Sequence, residues 1–353
     1  LRRLRICSMA DWSCDVKNII VVGAGTIGAR HAQLVQNHPA CNLIGVVDPN
    51  TELHSDSSVK YYNDMEEVKS FVDGAIIATP THLHAEHGKF AAQKGWDILI
   101  EKPVTETLEQ AQVLNQIVAQ TGVATLVGHH RRYHKRLQDL KHVIDSAAIG
   151  DPITATLIWA MRKPDAYFEG NWRSTSGSPV MINLVHDLDV LRFIFGNICD
   201  VRALGSSHIR KAGRVESGAA LLAFNSGVTA AISFADTTPS PWGFEAGTGE
   251  NPNIATTNQD MMWITGTKGG ISFPSMTKWG GAADWSKAPV PHTLPYEITV
   301  PLSGQLDHFV EVMERKADPL MSVFDATKTL DITLQIEALL TQEQRKTKQG
   351  QSG

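Results

Sequence analysis

A chain of 353 residues is too long for one ordinary hydrophobic core and suggests about two domains, and its 42% hydrophobic and 20% charged residues describe a soluble globular protein. The net charge of −5 leaves no sequence-wide basic field for nucleic acid, so a small molecule is the expected partner. No run approaches the ~20 consecutive apolar residues of a membrane-spanning helix, which argues against a membrane partner.

The first 16 residues read as a tail. LRRLRICSMA is basic but lacks the apolar stretch of a secretory signal; a transit peptide is the alternative, and Met9 is either a start or an internal methionine. Four scattered cysteines, Cys7, Cys14, Cys41 and Cys199, form no CxxC pair, as expected of free thiols in a reducing, cytoplasmic setting.

From Asn18 to about Val127 short β-branched runs alternate with longer amphipathic ones, as a parallel sheet with crossover helices requires. NIIVV is the first strand, Ile27 to His38 the first helix and NLIGVV the second strand. Between the first two lies GAGTIG, Gly23 to Gly28. Three glycines at this spacing let the backbone turn tightly, approach a pyrophosphate and pack a helix against a strand, and the helix N-terminus offers N–H groups to the phosphates. Gly23, Gly25, Thr26, Ile27 and Gly28 are thus the expected cradle. Asp48 stands 20 residues beyond Gly28, at the end of the second strand, where a carboxylate accepts from both ribose hydroxyls and repels a 2′-phosphate. Pro49, Asn50 and Thr51 bring no cation, so NAD is favoured over NADP.

Gly74 to Ala78 is a further buried strand, so Thr79, Pro80 and the residues to His84 sit at the carboxyl edge of the sheet, where open α/β folds bind ligands. His82, His84 and His87 invite a zinc reading, but no cysteine or carboxylate completes the set and a helix starting near His84 splays the three; no metal is expected. Asp97 to Ile100 runs directly into Glu101, Lys102 and Pro103, which aims a lysine, fixed between an acid and a proline, at the cofactor. Thr107 to Thr121 reads as a helix and Ala124 to Gly128 as the last strand of this domain. The cationic loop His129 to His134 follows, read either as a ligand loop or as a solvated basic turn.

Beyond Gly150 the texture changes to alternating strands: Ile153 to Met161, Val201 to Ser206, Ala219 to Phe224, Val228 to Phe234, Met261 to Thr265 and Gly270 to Phe273. One helix interrupts them, Met181 to Phe195. Leu184, Leu188, Leu191 and Phe195 form its buried stripe, while His186 and Asp189 share a second face. Asp236 to Gln259 is a long polar loop whose Trp242, Phe244 and Glu245 are either a lid or packing, and Trp172 with Arg173 is a second aromatic and cationic pair. The last helices end near Gln342, and residues 343–353 form a tail.

GAGTIG, ATPTHLH, EKP, HHRRY (His129 to Tyr133), NLVHDLDVLRFIFG (Asn183 to Gly196) and the closing helical pattern from LDHFVEV onward together resemble the Gfo/Idh/MocA family, that of glucose-fructose oxidoreductase and inositol dehydrogenase. The resemblance runs from about Lys17 to about Gln342. It implies an α/β Rossmann nucleotide-binding domain over 17–130 and, over 131–342, an α+β C-terminal domain with a large, mainly antiparallel open sheet. The last helix is a candidate to pack back on the first domain, and a homo-oligomer, dimer or tetramer, is implied by the sheets of relatives that pack between subunits.

By the same resemblance the expected catalytic residues are Lys102 and His186. The substrate residues are Arg131, Arg132, Tyr133, Trp172, Arg173, Asn183 and Asp189, and Thr79, Pro80, His84, Glu101 and Lys102 join the cofactor cradle and Asp48. One departure stands out: many relatives place an aspartate one helical turn before this histidine, where this chain has Ile182 with Asn183 beside it. The function implied is an NAD-dependent dehydrogenase acting on a secondary alcohol of a sugar, cyclitol or similar polyol. Alternatives are a carbonyl or imine reductase or dihydrodiol dehydrogenase on the same scaffold, or a non-catalytic dinucleotide sensor, since the family includes a regulator of that kind.

Overall fold

Strands made of β-branched runs buried on both faces need helices above and below them, and the first part of the chain supplies both. The computed structural model describes residues 16–50, 59–170, 178–211, 213–297 and 299–350, with side chains through 342. Contacts divide the chain into two units. The first comprises the chain up to Lys102, Val113–Val127 and Leu306–Ser322, and the second comprises Pro103–Gln112, Gly128–Gln305 and the chain from Val323.

The first half contributes β1 (Lys17–Val22), α1 (Thr26–Asn37), β2 (Cys41–Val47), β3 (Tyr61–Tyr62), β4 (Gly74–Ile77), α2 (Thr81–Gln93), β5 (Asp97–Ile100), α3 (Leu108–Thr121) and β6 (Thr125–Val127). The strands form one parallel sheet in the order β3-β2-β1-β4-β5-β6. The order reverses direction beside β1, which makes the carboxyl end of that strand the switch point where such sheets bind nucleotides. Ile19, Ile20, Val21, Ile76, Ile77, Ile98, Leu99 and Ile100 are wholly buried, as strands covered on both faces demand.

The segment 306–322 completes this unit. Phe309 and Met313 close over Gly74, where an added Cβ would come within 2.7 Å of the methionine sulfur. Arg315 makes two hydrogen bonds to Asp97, of 2.8 and 3.0 Å, and the Val127 N–H donates to the Met321 carbonyl. In this division the run that contains β6 ends at Val127.

The second half holds α4 (Lys135–Asp145), β7 (Pro152–Ala160), α5 (Val185–Phe195), β8 (Ile198–Ser206), β9 (Ser217–Phe224), β10 (Thr229–Ala235), α6 (Phe244–Thr248), β11 (Met262–Gly266), β12 (Gly269–Phe273), β13 (Thr277–Gly280), β14 (Val290–Thr293), α7 (Pro301–Met313) and α8 (Val323–Gly350). Its eight strands run β14-β13-β12-β11-β7-β10-β9-β8, antiparallel except where β7 meets β10. One face is buried against helices: Trp159, Leu222, Ile232, Phe234 and Ile264 join Leu188, Leu191 and Phe195 of α5 and Ile332, Ile336 and Leu340 of α8 in one core. So α8, the last helix, packs on the second sheet, and it is the segment before it that belongs to the first unit.

Candidate active site

The glycine turn has the geometry its sequence implies. Gly23 adopts φ +101, and a Cβ there would strike the Ala78 carbonyl oxygen at 2.7 Å; a Cβ on Gly28 would stand 1.9 Å from the Gly23 carbonyl oxygen. Both glycines serve close backbone packing. Gly25 differs, because a Cβ there meets no atom within 4 Å. It caps α1 without any side-chain hydrogen bond, so the helix start faces open space with its N–H groups, Thr26 and Ile27 among them, turned to whatever lies in front.

Asp48 closes this space from the end of β2. Its Oδ2 accepts from the Ala24 N–H at 2.8 Å and its Oδ1 from the Asn50 N–H at 3.0 Å, which fixes the carboxylate at the rim. A cavity of about 670 Å³ opens here, lined by Gly23, Gly25, Asp48, Thr79 and Pro80. The charged groups that line it are acidic, Asp48, Asp64, Glu66 and Glu86, with neither lysine nor arginine among the described lining residues. Lys60, the nearest later cation, lies over the Tyr62 ring at 4.6 Å. An open helix N-terminus beside a fixed carboxylate fits the pyrophosphate and ribose of a dinucleotide, and an acidic lining disfavours an additional 2′-phosphate.

The histidines of α2 turn back to the loop that precedes them. The helix begins at Thr81, three residues earlier than expected, and this puts His84 Nε2 2.8 Å from the Thr79 carbonyl and His87 Nδ1 3.1 Å from the Thr79 hydroxyl. They fasten Thr79 and Pro80 at the cavity rim. Glu101, at the end of β5, is also buried. Its Oε2 accepts from the Lys102 N–H at 3.2 Å, while Oε1 lies 2.9 Å from Nε2 of His31, a residue of α1 that is only 1% exposed. The cofactor helix and the backbone of Lys102 are thus tied through one carboxylate. The sequence pointed to Glu101 but not to His31, whose only signal was its place on the inward face of α1, one turn after Gly28.

In the second unit His186 lies at the start of α5 and is 8% exposed. The expected continuous helix from Met181 begins differently: Val180–Leu184 forms one π turn, capped by Ser178, whose hydroxyl accepts from the Val180 and Met181 N–H groups. A wider turn shifts the phase of the residues ahead of His186, and such turns recur at functional sites. Asn183 lies within it, and its Oδ1 is buried with no hydrogen-bond partner among the described residues.

Two imidazoles from the one-turn 3-10 helix His130–Tyr133 and the residue before it face His186. The His130 ring centroid is 5.4 Å away at 73° and that of His129 6.3 Å away at 78°. Behind them stand carboxylates: His129 Nδ1 is 3.5 Å from Asp189, and His130 Nε2 is hydrogen-bonded to Glu250.

The neighbouring arginines are both paired with carboxylates of the second unit. Arg131 is 2% exposed; its guanidinium lies 2.9 Å from Asp187, 2.8 Å from Glu245 and 3.3 Å from Glu250, over the Phe244 ring at 4.1 Å. Arg132 grips Asp189 at 2.7 and 3.0 Å and reaches Asp325 at 3.3 Å. A buried guanidinium needs carboxylate partners, and Arg131, Arg132 and Asp189 form interior ion pairs. Tyr133 is likewise buried, and burial raises its phenol above the usual tyrosine range. Trp172 and Arg173 lie outside the described residues. Phe244 and Glu245 are packing, not lid: the phenylalanine is wholly buried in the core and α6 gives the expected loop a short helix.

Charge is unevenly shared in this cluster. Burial pushes the Asp187 carboxyl up to about 7, against the pull of Arg131 and with help from Glu245 and Glu250. Burial also opposes ionisation of Glu250, but Arg131 and His130 outweigh it and hold that carboxyl down at about 2. Asp187 and Glu250 are the residues of this cluster that the sequence left unmarked, whereas Glu245 is marked there only as lid or packing. Glu250 lies in a polar loop without periodicity, and nothing local ties it to residue 130.

A parallel sheet in this order, with a glycine-cradled helix start and an acid at the end of the second strand, defines a dinucleotide-binding α/β protein. Residues 17–129 match the family model described as the oxidoreductase family with an NAD-binding Rossmann fold, and residues 137–272 match the GFO/IDH/MocA C-terminal domain. The chain belongs to the Gfo/Idh/MocA family of oxidoreductases. It is 27% identical over 338 residues to a scyllo-inositol 2-dehydrogenase (NAD(+)) of Bacillus subtilis, covering 88% of this chain and 90% of that one. An inositol 2-dehydrogenase of Rhizobium meliloti is 23% identical over 313 residues, 84% of this chain and 89% of the relative. Among solved structures, an oxidoreductase from Agrobacterium radiobacter in complex with NAD+, L-tartaric acid and magnesium superposes with a TM-score of 0.76 at 16% identity, over 92% of this chain and 96% of that chain. Likeness at that identity concerns the fold.

Proposed function

We propose that this enzyme is an NAD-dependent dehydrogenase that oxidises a secondary alcohol of a sugar, cyclitol or similar polyol. The observation that carries the reading is His186: a histidine one turn into a helix, faced by two imidazoles that are backed by carboxylates, in a chain that also carries an open dinucleotide cradle. The inositol dehydrogenases that align over most of its length support the substrate class. NAD rather than NADP is supported by Asp48 and the acidic lining around it.

Bound NAD supplies the hydride acceptor. His186 takes the proton of the substrate hydroxyl, a role suited to an imidazole whose ordinary pKa is near 6.5. Lys102, whose backbone is pinned by Glu101, is the second catalytic residue of the proposal, a cation able to stabilise negative charge as it develops on an alkoxide. Asn183, with its unpartnered Oδ1, accepts from a second substrate hydroxyl. A reducing, cytoplasmic setting accords with the free thiols of Cys41 and Cys199. The dimer or tetramer expected from relatives is supported by Leu204, Leu221 and Trp263, exposed on the outer face of the second sheet.

Replacing His186 with asparagine, and Lys102 with methionine, tests the assignment on any polyol that supports turnover. Each change is expected to lower kcat by roughly 100-fold or more, and in the His186 variant NAD affinity should stay within about twofold. Full turnover in either variant, with NAD binding intact, removes that residue from the chemistry.

A further inference from the structure

A base that accepts a proton becomes a cation, and a nearly buried cation needs negative charge within reach. In this chain the residue one helical turn before His186 is Ile182, which supplies none. The negative charge comes instead from the opposite side. We propose that His130, held by Glu250, is a positioning residue for His186, and that the pair supplies the charge that stabilises the imidazolium formed when the substrate hydroxyl gives up its proton. The proposal rests on the reading of His186 as the base.

The geometry assigns each part. The imidazoles of His130 and His186 meet edge to face with centroids 5.4 Å apart, which is ring contact, and Nε2 of His130 is bonded to Glu250 Oε1. Glu250 is itself fixed: its Oε2 is 3.3 Å from Arg131, and its backbone N–H donates to the Thr248 hydroxyl at 3.3 Å. Because Arg131 and His130 keep the Glu250 carboxyl ionised at neutral pH, the nitrogen that faces it must carry a hydrogen, so His130 donates and its ring is held in one orientation. During oxidation the hydroxyl proton moves to His186 and stays there for that step. The hydride leaves with the electron pair of the C–H bond, and the new positive charge is offset through His130 by Glu250.

Among the described residues, the other charged groups near this cluster do not cancel the effect. Asp189 stands behind His129 and is neutralised by Arg132. Asp187 and Glu245 share Arg131 with Glu250, so one guanidinium serves three carboxylates and the cluster leans negative. From α8, Asp325 is taken up by Arg192 and Arg132, with Lys328 at 3.7 Å, and Glu337 is bonded to Ser178. On α4 Lys135 pairs with Asp139 and Lys141 with Asp145. The π turn Val180–Leu184 carries no ionisable side chain.

The test is a titration of the His186 imidazole by nitrogen-15 NMR in the intact protein, assigned by its loss in His186→Asn, together with the pH profile of kcat/KM for alcohol oxidation. In Glu250→Gln the His186 pKa is expected to fall by roughly half to one pH unit, and the acid limb of kcat/KM to move to lower pH by the same amount. His130→Asn should move both the same way, and the double variant should add little to either single change, because the two residues act as one unit. His130→Asn alone carries the test if Glu250→Gln does not fold. An unmoved His186 titration, or a loss of rate that is equal at every pH, overturns the proposal. The NMR arm needs no substrate, so it stands apart from the functional assignment: turnover retained by His186→Asn defeats that assignment, whereas a fixed His186 pKa defeats only the role of His130 and Glu250.

Discussion

Three carboxylates around one buried arginine make Arg131 the residue whose loss the second unit tolerates least. Removing it leaves Asp187, Glu245 and Glu250 without their shared cation in a site closed to water. Arg131→Ala is expected to lower stability by about 3–5 kcal/mol, the ordinary cost of breaking a buried ion pair from one side, measurable by chemical denaturation. A loss under about 1 kcal/mol would show that the cluster is hydrated rather than buried. Asp48 is the corresponding residue of the first unit, and its carboxylate has a different duty. Asp48→Ala should weaken NAD binding by roughly tenfold or more and narrow the preference over NADP, read by titration with each nucleotide; an unchanged ratio would remove Asp48 from cofactor selection.

At the scale of elements, the glycine turn separates folding from binding. Gly25 has a φ of −63, which any residue adopts, and an added Cβ meets nothing in the protein, whereas a Cβ on Gly28 collides with the backbone of Gly23. Gly25→Ala should therefore leave the thermal midpoint within about 2 °C and weaken NAD by roughly tenfold or more, while Gly28→Ala should lose stability as well. Equal effects of the two changes would contradict the cradle. Such elements were legible in the sequence because their physics is local: β1, α1, β4, β5 and the strands β7 to β12 follow hydrophobic period and turn chemistry to within a few residues of their ends. The strands β3, β13 and β14 escaped it, being two to four residues long and weakly apolar, the first and last of them at sheet edges. The π turn ahead of His186 also escaped, since no side-chain pattern separates it from an α turn. HHRRY was recognisable as a loop with a purpose, but which of its cations faces inward depends on Asp187, Glu245, Glu250 and Asp325, up to 193 positions away in sequence.

The molecule as a whole should show its carboxylates in its response to acid. Glu250 is held down at about 2, and Asp189 and Asp325 are also held below their ordinary range, the first against burial by His129 and Arg132 and the second against burial by Arg192. A carboxyl with a depressed folded-state pKa contributes stability that is complete above its unfolded value, about 4.3 for glutamate, and is lost as pH falls through the folded one; for Glu250 this is about 3 kcal/mol, of which a good part should vanish by pH 3. Asp187 acts in the other direction, its raised pKa of about 7 making the fold less stable as pH climbs from about 4 to 7, by an amount of the same order as the Glu250 gain. Stability measured against pH should thus rise steeply from pH 2 to 4.5 and then decline toward pH 7 as Asp187 ionises, and Glu250→Gln should flatten the steep limb; an unaltered limb would contradict the charge assignment. At the same scale, the proposed homo-oligomer predicts that Leu221→Glu on the exposed sheet face lowers the mass measured by light scattering; an unchanged mass would count against that face as the interface.

The central claim is that the NAD cradle serves oxidation of a polyol hydroxyl, and the most direct measurement is nicotinamide reduction: purified protein, NAD and a panel of cyclitols and sugars, followed by NADH absorbance with NADP as the parallel arm. The account predicts NADH accumulation with at least one cyclitol or sugar, faster with NAD than with NADP, and abolished by His186→Asn. Saturable NAD binding with no reduction across the panel, or reduction that persists in His186→Asn, would contradict it.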